Sequence, residues 1–395
     1  VKKIKINTTK THQSLYCYPR RIPVLVRNLF FEFISNLYQG VIELEEAERP
    51  FIITNIIEDG QFSNSITLDN VKSTYVLIEI DEKQVILFFK SYWENDMALY
   101  HEVSLNSQDE FDFFGNDFYE YLLDNSLLHS QFKGAYINVE DDDFQNFYKH
   151  ELPERSFSDI FLPDVIIQDL KAFKTIFEKR EKLLRYLFVG VPGSGKTESV
   201  IVLANELQKK GVTILKASTN AIKNAVRFAN ILAPALIILD DVDLELGNRD
   251  NYSHTESLGD FLDVLDGVEK ISPNVGILAT TNSLWLVDAA AQRPGRFNKI
   301  LSFGELTKQN IKAIILKSLK NAEMEDFSLL ADDDIVEVYR HHESTGAYIY
   351  NMTQMLANQI DIEMIPAYIQ PIVAYIENDI KVLKRMRRNQ QTNEN

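Results

Sequence analysis

The run Leu183-Leu184-Arg185-Tyr186-Leu187-Phe188-Val189, followed at once by Gly190-Val191-Pro192-Gly193-Ser194-Gly195-Lys196-Thr197-Glu198, decides the reading of this chain. The first seven residues are apolar and aromatic enough to predict a buried strand over 183–189, and residues 197–209 predict a helix. Between them stands the pattern G-x-x-x-x-G-K-[ST]. Its glycines let the backbone bend so that several N–H groups face one centre, where the helix N-terminus adds partial positive charge. Lys196 is then placed to reach β- and γ-phosphates, and the Thr197 hydroxyl to ligate Mg²⁺. Gly190, Pro192, Gly193, Ser194, Gly195, Lys196, Thr197 and Glu198 are the candidate phosphate-binding residues. A tight strand-to-helix turn without a ligand is the competing reading, and the context on both sides argues against it.

A second stretch tests the first. Ala235-Leu236-Ile237-Ile238-Leu239 ends in Asp240-Asp241, an apolar strand with two carboxylates at its carboxyl end. Ligands of open parallel sheets gather at that end. Asp240 is placed to hold the Mg²⁺ shell, and Asp241 to orient or deprotonate an attacking water. Ala279-Thr280-Thr281-Asn282 ends another apolar strand, so Asn282 can hydrogen-bond a γ-phosphate or the water. Arg293-Pro294-Gly295-Arg296-Phe297 offers two arginines on a turn. Strands are also expected over 212–216, 275–281 and 299–303. Helical patterns follow over 307–319, 332–341, 346–360 and 371–388, so an α/β unit with a small helical bundle behind it is expected.

These motifs in this order resemble the AAA+ ATPases, in particular the AAA clade in the strict sense. The likeness covers about Phe157 to Arg388 and includes Phe261-Leu262-Asp263-Val264-Leu265-Asp266-Gly267-Val268. It implies a P-loop α/β fold with a parallel sheet of strand order 5-1-4-3-2 and a C-terminal helical lid. It further implies ATP and Mg²⁺ as cofactors, Asn282 as a sensor of the γ-phosphate, and Arg293 and Arg296 as arginine fingers acting on a neighbouring subunit. A homo-oligomeric ring, usually a hexamer, follows from that role. Gly346 and Ala347, in the turn Ser344-Thr345-Gly346-Ala347, resemble the lid motif on the adenine side of the nucleotide.

Two departures bear on activity. The usual glutamate after the Walker B aspartate is replaced by Asp241, one methylene shorter. Small misplacements can cost about 10²-fold in rate, so slow hydrolysis is expected, and an ATP-gated scaffold stays open as an alternative. The segment after Lys216 is short and has no aromatic residue before Phe228, which falls in a helical run and reads as core. This short connection, Asp240-Asp241-Val242-Asp243, and Arg155 to Leu162 look most like the branch that includes a mitochondrial translocase of a folded iron–sulfur protein and soluble bacterial relatives. Threading through aromatic pore loops is therefore not expected.

The 395 residues suggest two or three domains, divided as 1–152, 153–304, 305–388 and a disordered tail at 389–395. Residues 1–152 read as an α+β accessory domain, with strands at 73–80 and 84–90 and helices at 27–38 and 117–128. Residues 1–150 hold 13 Lys and Arg against 24 Asp and Glu, and the run Glu140 to Asp143 reads as solvated surface. A protein client recognised by this region is the expected partner. The net charge of −17 argues against a nucleic-acid partner, although Lys381, Lys384, Arg385, Arg387 and Arg388 keep a nucleic-acid motor as a third reading. No apolar run is long enough for a membrane span, and no secretory signal is seen. The single cysteine, Cys17, fits a reducing compartment, so a cytoplasmic location is expected. His341-His342 has no ligand partners at metal spacing.

Overall fold

The computed structural model describes residues 16–22, 24–43, 52–58, 61–66, 74–80, 83–94, 98–107, 116–139, 148–179, 182–243, 261, 263–267, 270–282, 296–359 and 365–393. Within them the chain builds an antiparallel sheet, a mostly parallel sheet and a helical lid.

The antiparallel sheet contains β1 (Tyr16–Ile22), β2 (Ile52–Glu58), β3 (Gln61–Ser63), β4 (Thr74–Ile80), β5 (Lys83–Glu94) and β6 (Ala98–Ser107), in the order β1-β6-β5-β4-β2-β3. Alternation sends Val76, Ile78, Val85, Leu87 and Phe89 to one face. Helix α1 (Val24–Tyr38) covers that face, with the Phe31 ring edge-on to Phe89 at 4.9 Å. Helix α2 (Asn116–Leu128) packs beside it, Tyr119 lying edge-on to Phe30 at 5.6 Å. The helices and strands expected in this half of the chain are present, and α1 and β5 are longer than the sequence suggested.

The second sheet has the order β13-β9-β12-β11-β10-β7-β8. Its strands are β7 (Tyr136–Val139), β8 (Tyr148–His150), β9 (Leu184–Gly190), β10 (Thr213–Ala217), β11 (Ala235–Leu239), β12 (Val275–Thr281) and β13 (Lys299–Phe303). Strands β11 and β12 are buried along their whole length, as continuous apolar strands of a covered parallel sheet must be. Counted along the chain from β9, the five strands β9 to β13 stand in the order 5-1-4-3-2. Helices α3 (Asp164–Glu178), α4 (Lys196–Gln208) and α5 (Ile222–Ile231) cover its faces. Phe228 is buried in α5.

The boundary near residue 153 needs correction. Strand β7 pairs in parallel with β10, and β8 pairs antiparallel with β7, so residues expected in the accessory domain form the edge of this second sheet. One hydrophobic cluster runs from Phe30 and Leu122 through Ile137 to Val226 and Leu239. The Arg227 guanidinium of α5 meets Glu120 and Asp124 of α2, the latter at 3.3 Å. The two halves share a core instead of meeting at a linker.

Beyond β13 the lid comprises α6 (Lys308–Asn321), a 3₁₀ turn at Glu325–Ala331, α7 (Asp333–His341), α8 (Gly346–Gln359) and α9 (Ile365–Asn393). Thr307 and Asn310 form a capping box that starts α6. The disordered tail expected from residue 389 is also corrected: α9 is 29 residues long, runs through Pro371 and ends at Asn393. Gln and Arg in its last turns are adequate helix formers. Among the described residues no helix is long and apolar enough to cross a membrane, and no His, Cys, Asp or Glu cluster could hold a metal ion by itself. The Glu140 to Asp143 run lies outside the described residues.

Candidate nucleotide site

Strand β9 ends at Gly190 and α4 begins at Lys196, so the glycine-rich loop joins a buried strand to a helix N-terminus. Gly193 and Gly195 have φ of +79° and +99°, the left-handed region that side chains rarely enter. A Cβ at Gly193 would lie 2.9 Å from Ala347 Cβ and 3.1 Å from Thr345 Oγ1. The bare glycine therefore lets the lid turn seat on the loop, and the Ala347 N–H donates to the Gly193 carbonyl at 3.1 Å. Between loop and lid lies a cavity of about 590 Å³, walled by residues 193–198, Ile160, Leu306, Gly346, Ala347 and Tyr350 among others. That volume and lining suit a small-molecule ligand. Two contacts tie the lid to the segment entering the site. Lys317 of α6 pairs with Asp159 at 3.0 Å, and Asn310 donates to the Leu162 carbonyl at 3.0 Å. Lys317 and the Ser156 hydroxyl and N–H hold the Asp159 carboxyl down at about 2.

The Lys196 side chain is buried, and its Nζ donates to the Gly190 carbonyl at 2.7 Å, the Val191 carbonyl at 3.2 Å and Asn282 Oδ1 at 3.0 Å. Burial lowers its pKa, while Asp241, Asp243 and Asp240 pull it back up. Asn282 also donates through Nδ2 to Asp241 Oδ1 at 3.1 Å. One amide thus bridges the loop lysine and the second acid after β11. Asp240 Oδ1 accepts the Thr280 hydroxyl at 2.6 Å and lies 3.5 Å from Thr197 Oγ1. This hydroxyl and carboxylate pair is a hard oxygen donor set that fits Mg²⁺. Glu198, in the first turn of α4, is exposed and pairs with Arg155 at 3.3 Å.

Asp241 has φ of +49°, unusual for a residue with a Cβ. Its N–H donates to Thr280 Oγ1 at 2.8 Å, which helps hold the backbone there. Such conformations cost about 1–3 kcal/mol and cluster at functional sites. Burial raises the Asp241 pKa, with repulsion from Asp240 and Asp243 adding to it; Lys196 and the Asn282 amide act the other way.

The sequence reading did not single out Asp243. Its buried Oδ1 accepts the Thr281 hydroxyl at 2.8 Å and the Asn282 N–H at 2.9 Å. It fixes the end of β12 and hence the direction of the Asn282 amide. The signal was present as a third acid two residues after Asp241, opposite the Thr280-Thr281-Asn282 run.

The arginine turn differs from expectation. Arg293 lies outside the described residues. Arg296 is 4% exposed; its Nε donates to Asp266 Oδ1 at 2.6 Å and its Nη2 to Asp266 Oδ2. Its carbonyl accepts from Arg185 Nη1 at 3.3 Å. Within its own chain Arg296 is a clasp to Asp266, not an arm extended toward a neighbour. To reach another subunit it would first have to release that carboxylate.

The family model for the ATPase family associated with various cellular activities, AAA, matches residues 186–305, from β9 to just past β13. Residues 186–305 are thus similar to the AAA domain of AAA+ ATPases. Three relatives show how far the likeness extends. The ATPase family gene 2 protein of Schizosaccharomyces pombe is 31% identical over 160 residues, covering 37% of this chain and 20% of that protein. Cell division control protein 48 homolog C of Arabidopsis thaliana is 31% identical over 192 residues, 46% of this chain and 23% of its own length. The peroxisomal ATPase PEX6 of Kluyveromyces lactis is 27% identical over 261 residues, 59% and 25% of the two chains. The chain spans a quarter or less of the length of these relatives.

Proposed function

We propose that this protein is an ATP-hydrolysing AAA ring, a hexamer on the family pattern, that remodels or chaperones a protein client. The observation that carries the reading is the Lys196–Asn282–Asp241 bridge, which joins the phosphate loop to the acids after β11. In the reaction, Lys196 leaves the Gly190 and Val191 carbonyls to meet the β- and γ-phosphates. Asn282 then holds the terminal phosphate or the water, and Asp241 takes the water's proton as the oxygen adds to the γ-phosphorus. The bond to the bridging oxygen breaks, giving ADP and inorganic phosphate. Mg²⁺, held through Thr197 and Asp240, would neutralise phosphate charge. The raised pKa of Asp241 suits a base but the shorter side chain slows it. Arg296, released from Asp266, and Arg293 would serve the neighbouring subunit's nucleotide.

The client would be taken by the antiparallel sheet and its helices. Only residues 218–221 separate β10 from α5, and Ser218-Thr219-Asn220-Ala221 contains no aromatic residue. That supports a ring working without aromatic threading. Sedimentation with a slowly hydrolysed ATP analogue and Mg²⁺ tests the ring: a discrete oligomer that Lys196→Ala prevents supports it, and a monomer at every nucleotide concentration contradicts it. The second reading is an ATP-gated scaffold, favoured by the Asp241 carboxylate being short and already engaged by Asn282. Turnover unchanged in Asp241→Asn would decide for the scaffold.

A further inference from the structure

A second cavity, of about 650 Å³, has Asp240 and Asp241 in its wall. The register explains its walls. Asn138 lies opposite Lys216, which lies opposite Ile238, two residues before Asp240. Tyr136 lies opposite His150, with their rings 6.0 Å apart. Strand alternation therefore brings Tyr136, Asn138, His150, Lys216 and Asp240 to one face of the sheet at its carboxyl edge. Ser218 completes the lining, with Asp241, Glu151, Pro153 and Ala217. The cavity shares no lining residue with the nucleotide cavity. Thr197, in the wall of the first, stands through Oγ1 3.5 Å from Asp240 Oδ1, in the wall of the second.

We infer that this cavity receives inorganic phosphate as it leaves the nucleotide site. The inference rests on the hydrolytic reading above and adds no covalent step to it. A nucleoside diphosphate held between loop and lid fills the way back through the first cavity. The terminal phosphate is at the Lys196 and Asn282 end, so the free path leads past Asp240 and Asp241. Three carboxylates there oppose an anion. Against them stand the Lys216 ammonium, the His150 ring, the Asn138 amide and the Ser218 and Tyr136 hydroxyls, all able to donate to phosphate oxygens. Lys216 and His150 are both exposed, so neither charge nor ring must be desolvated to serve. The edge strands β7 and β8 supply Tyr136, Asn138 and His150 to the wall. Movement of that sheet edge would change phosphate release directly.

The test uses the full chain loaded with ADP and Mg²⁺, with radiolabelled inorganic phosphate in equilibrium dialysis and a fluorescent ADP analogue run beside it. Wild type binds phosphate; Lys216→Glu weakens it at least about tenfold, as loss of a charge-assisted contact with repulsion added should, and His150→Ala weakens it a few-fold. ADP affinity stays unchanged in both. Unchanged phosphate affinity in both variants, with ADP binding intact, overturns the inference and leaves the nucleotide site standing. Failure of wild type to bind ADP overturns the reading beneath it, and the inference with it. Both positions are exposed, and superimposable circular dichroism confirms that the variants fold. In rapid mixing, phosphate formed in quenched samples should keep its wild-type rate in Lys216→Glu while release to a fluorescent phosphate sensor slows. Equal release rates overturn the inference as well.

Discussion

Replacing Asp243 with alanine removes the one acceptor shared by the Thr281 hydroxyl and the Asn282 N–H, bonds of 2.8 and 2.9 Å to the same buried oxygen. Each is a hydrogen bond to a charged group, worth about 1.5–3 kcal/mol. Loss of both should cost about 3–6 kcal/mol, a large part of the roughly 5–15 kcal/mol that holds a domain folded. At roughly 2–4 °C per kcal/mol for a unit of this size, the melting temperature should fall by about 6–24 °C. Asp243→Asn is the decisive companion, because an amide oxygen at the same place can still accept both hydrogens. It loses only the charge assistance, so its shift should be less than half as large. Calorimetry of wild type, Asp243→Ala and Asp243→Asn, with and without ATP, reads this directly. If Asp243→Ala melts within about 2 °C of wild type, or the asparagine variant is as damaged as the alanine one, the shared-acceptor argument is wrong.

Other outcomes follow from the same geometry. Since the Asp241 pKa is raised, the folded state binds its proton more tightly than the unfolded chain does, so ionised Asp241 costs stability as pH rises through the raised value. Asp241→Asn should therefore melt higher than wild type at neutral pH, with the gap closing below the ordinary carboxylate range; a gap that does not vary with pH contradicts this. The same shift should place the acid limb of ATP turnover above the ordinary carboxylate range, and a pH–rate profile shows it. Gly193→Ala forces a Cβ to 2.9 Å from Ala347 at a φ of +79°; nucleotide affinity should fall at least about tenfold by titration with a fluorescent analogue. Arg296→Ala breaks the clasp to Asp266 and should lower both the melting temperature and turnover, whereas a purely intersubunit role would spare the melt.

The nucleotide sheet was legible because its strands are continuous apolar runs and because the loop motif needs a strand before it and a helix after it. The structure places all five of these strands within a residue of their expected ends. Strands β7 and β8 were not legible. They are four and three residues long, and Tyr136-Ile137-Asn138-Val139 becomes a strand only because β10 offers it an open edge. Pro371 reads from the sequence as a helix start, since proline suits the first turn. In α9 it falls at the seventh position, where contacts of Ile372 and Ile376 with the lid core keep the helix continuous. The clasp between Arg296 and Asp266 joins residues 30 apart, and no local pattern encodes it. Asp243 is the instructive case at the site: a third acid after a strand reads as surface until the neighbouring strand brings two donors to it.

The central claim is that the Lys196–Asn282–Asp241 bridge belongs to a working ATPase shared between subunits. Steady-state ATP turnover measured against protein concentration, for wild type, Lys196→Ala and Asp241→Asn, tests it most directly. The account predicts turnover per subunit that rises cooperatively with concentration and that each variant abolishes. A background rate that neither concentration nor either substitution changes would contradict it.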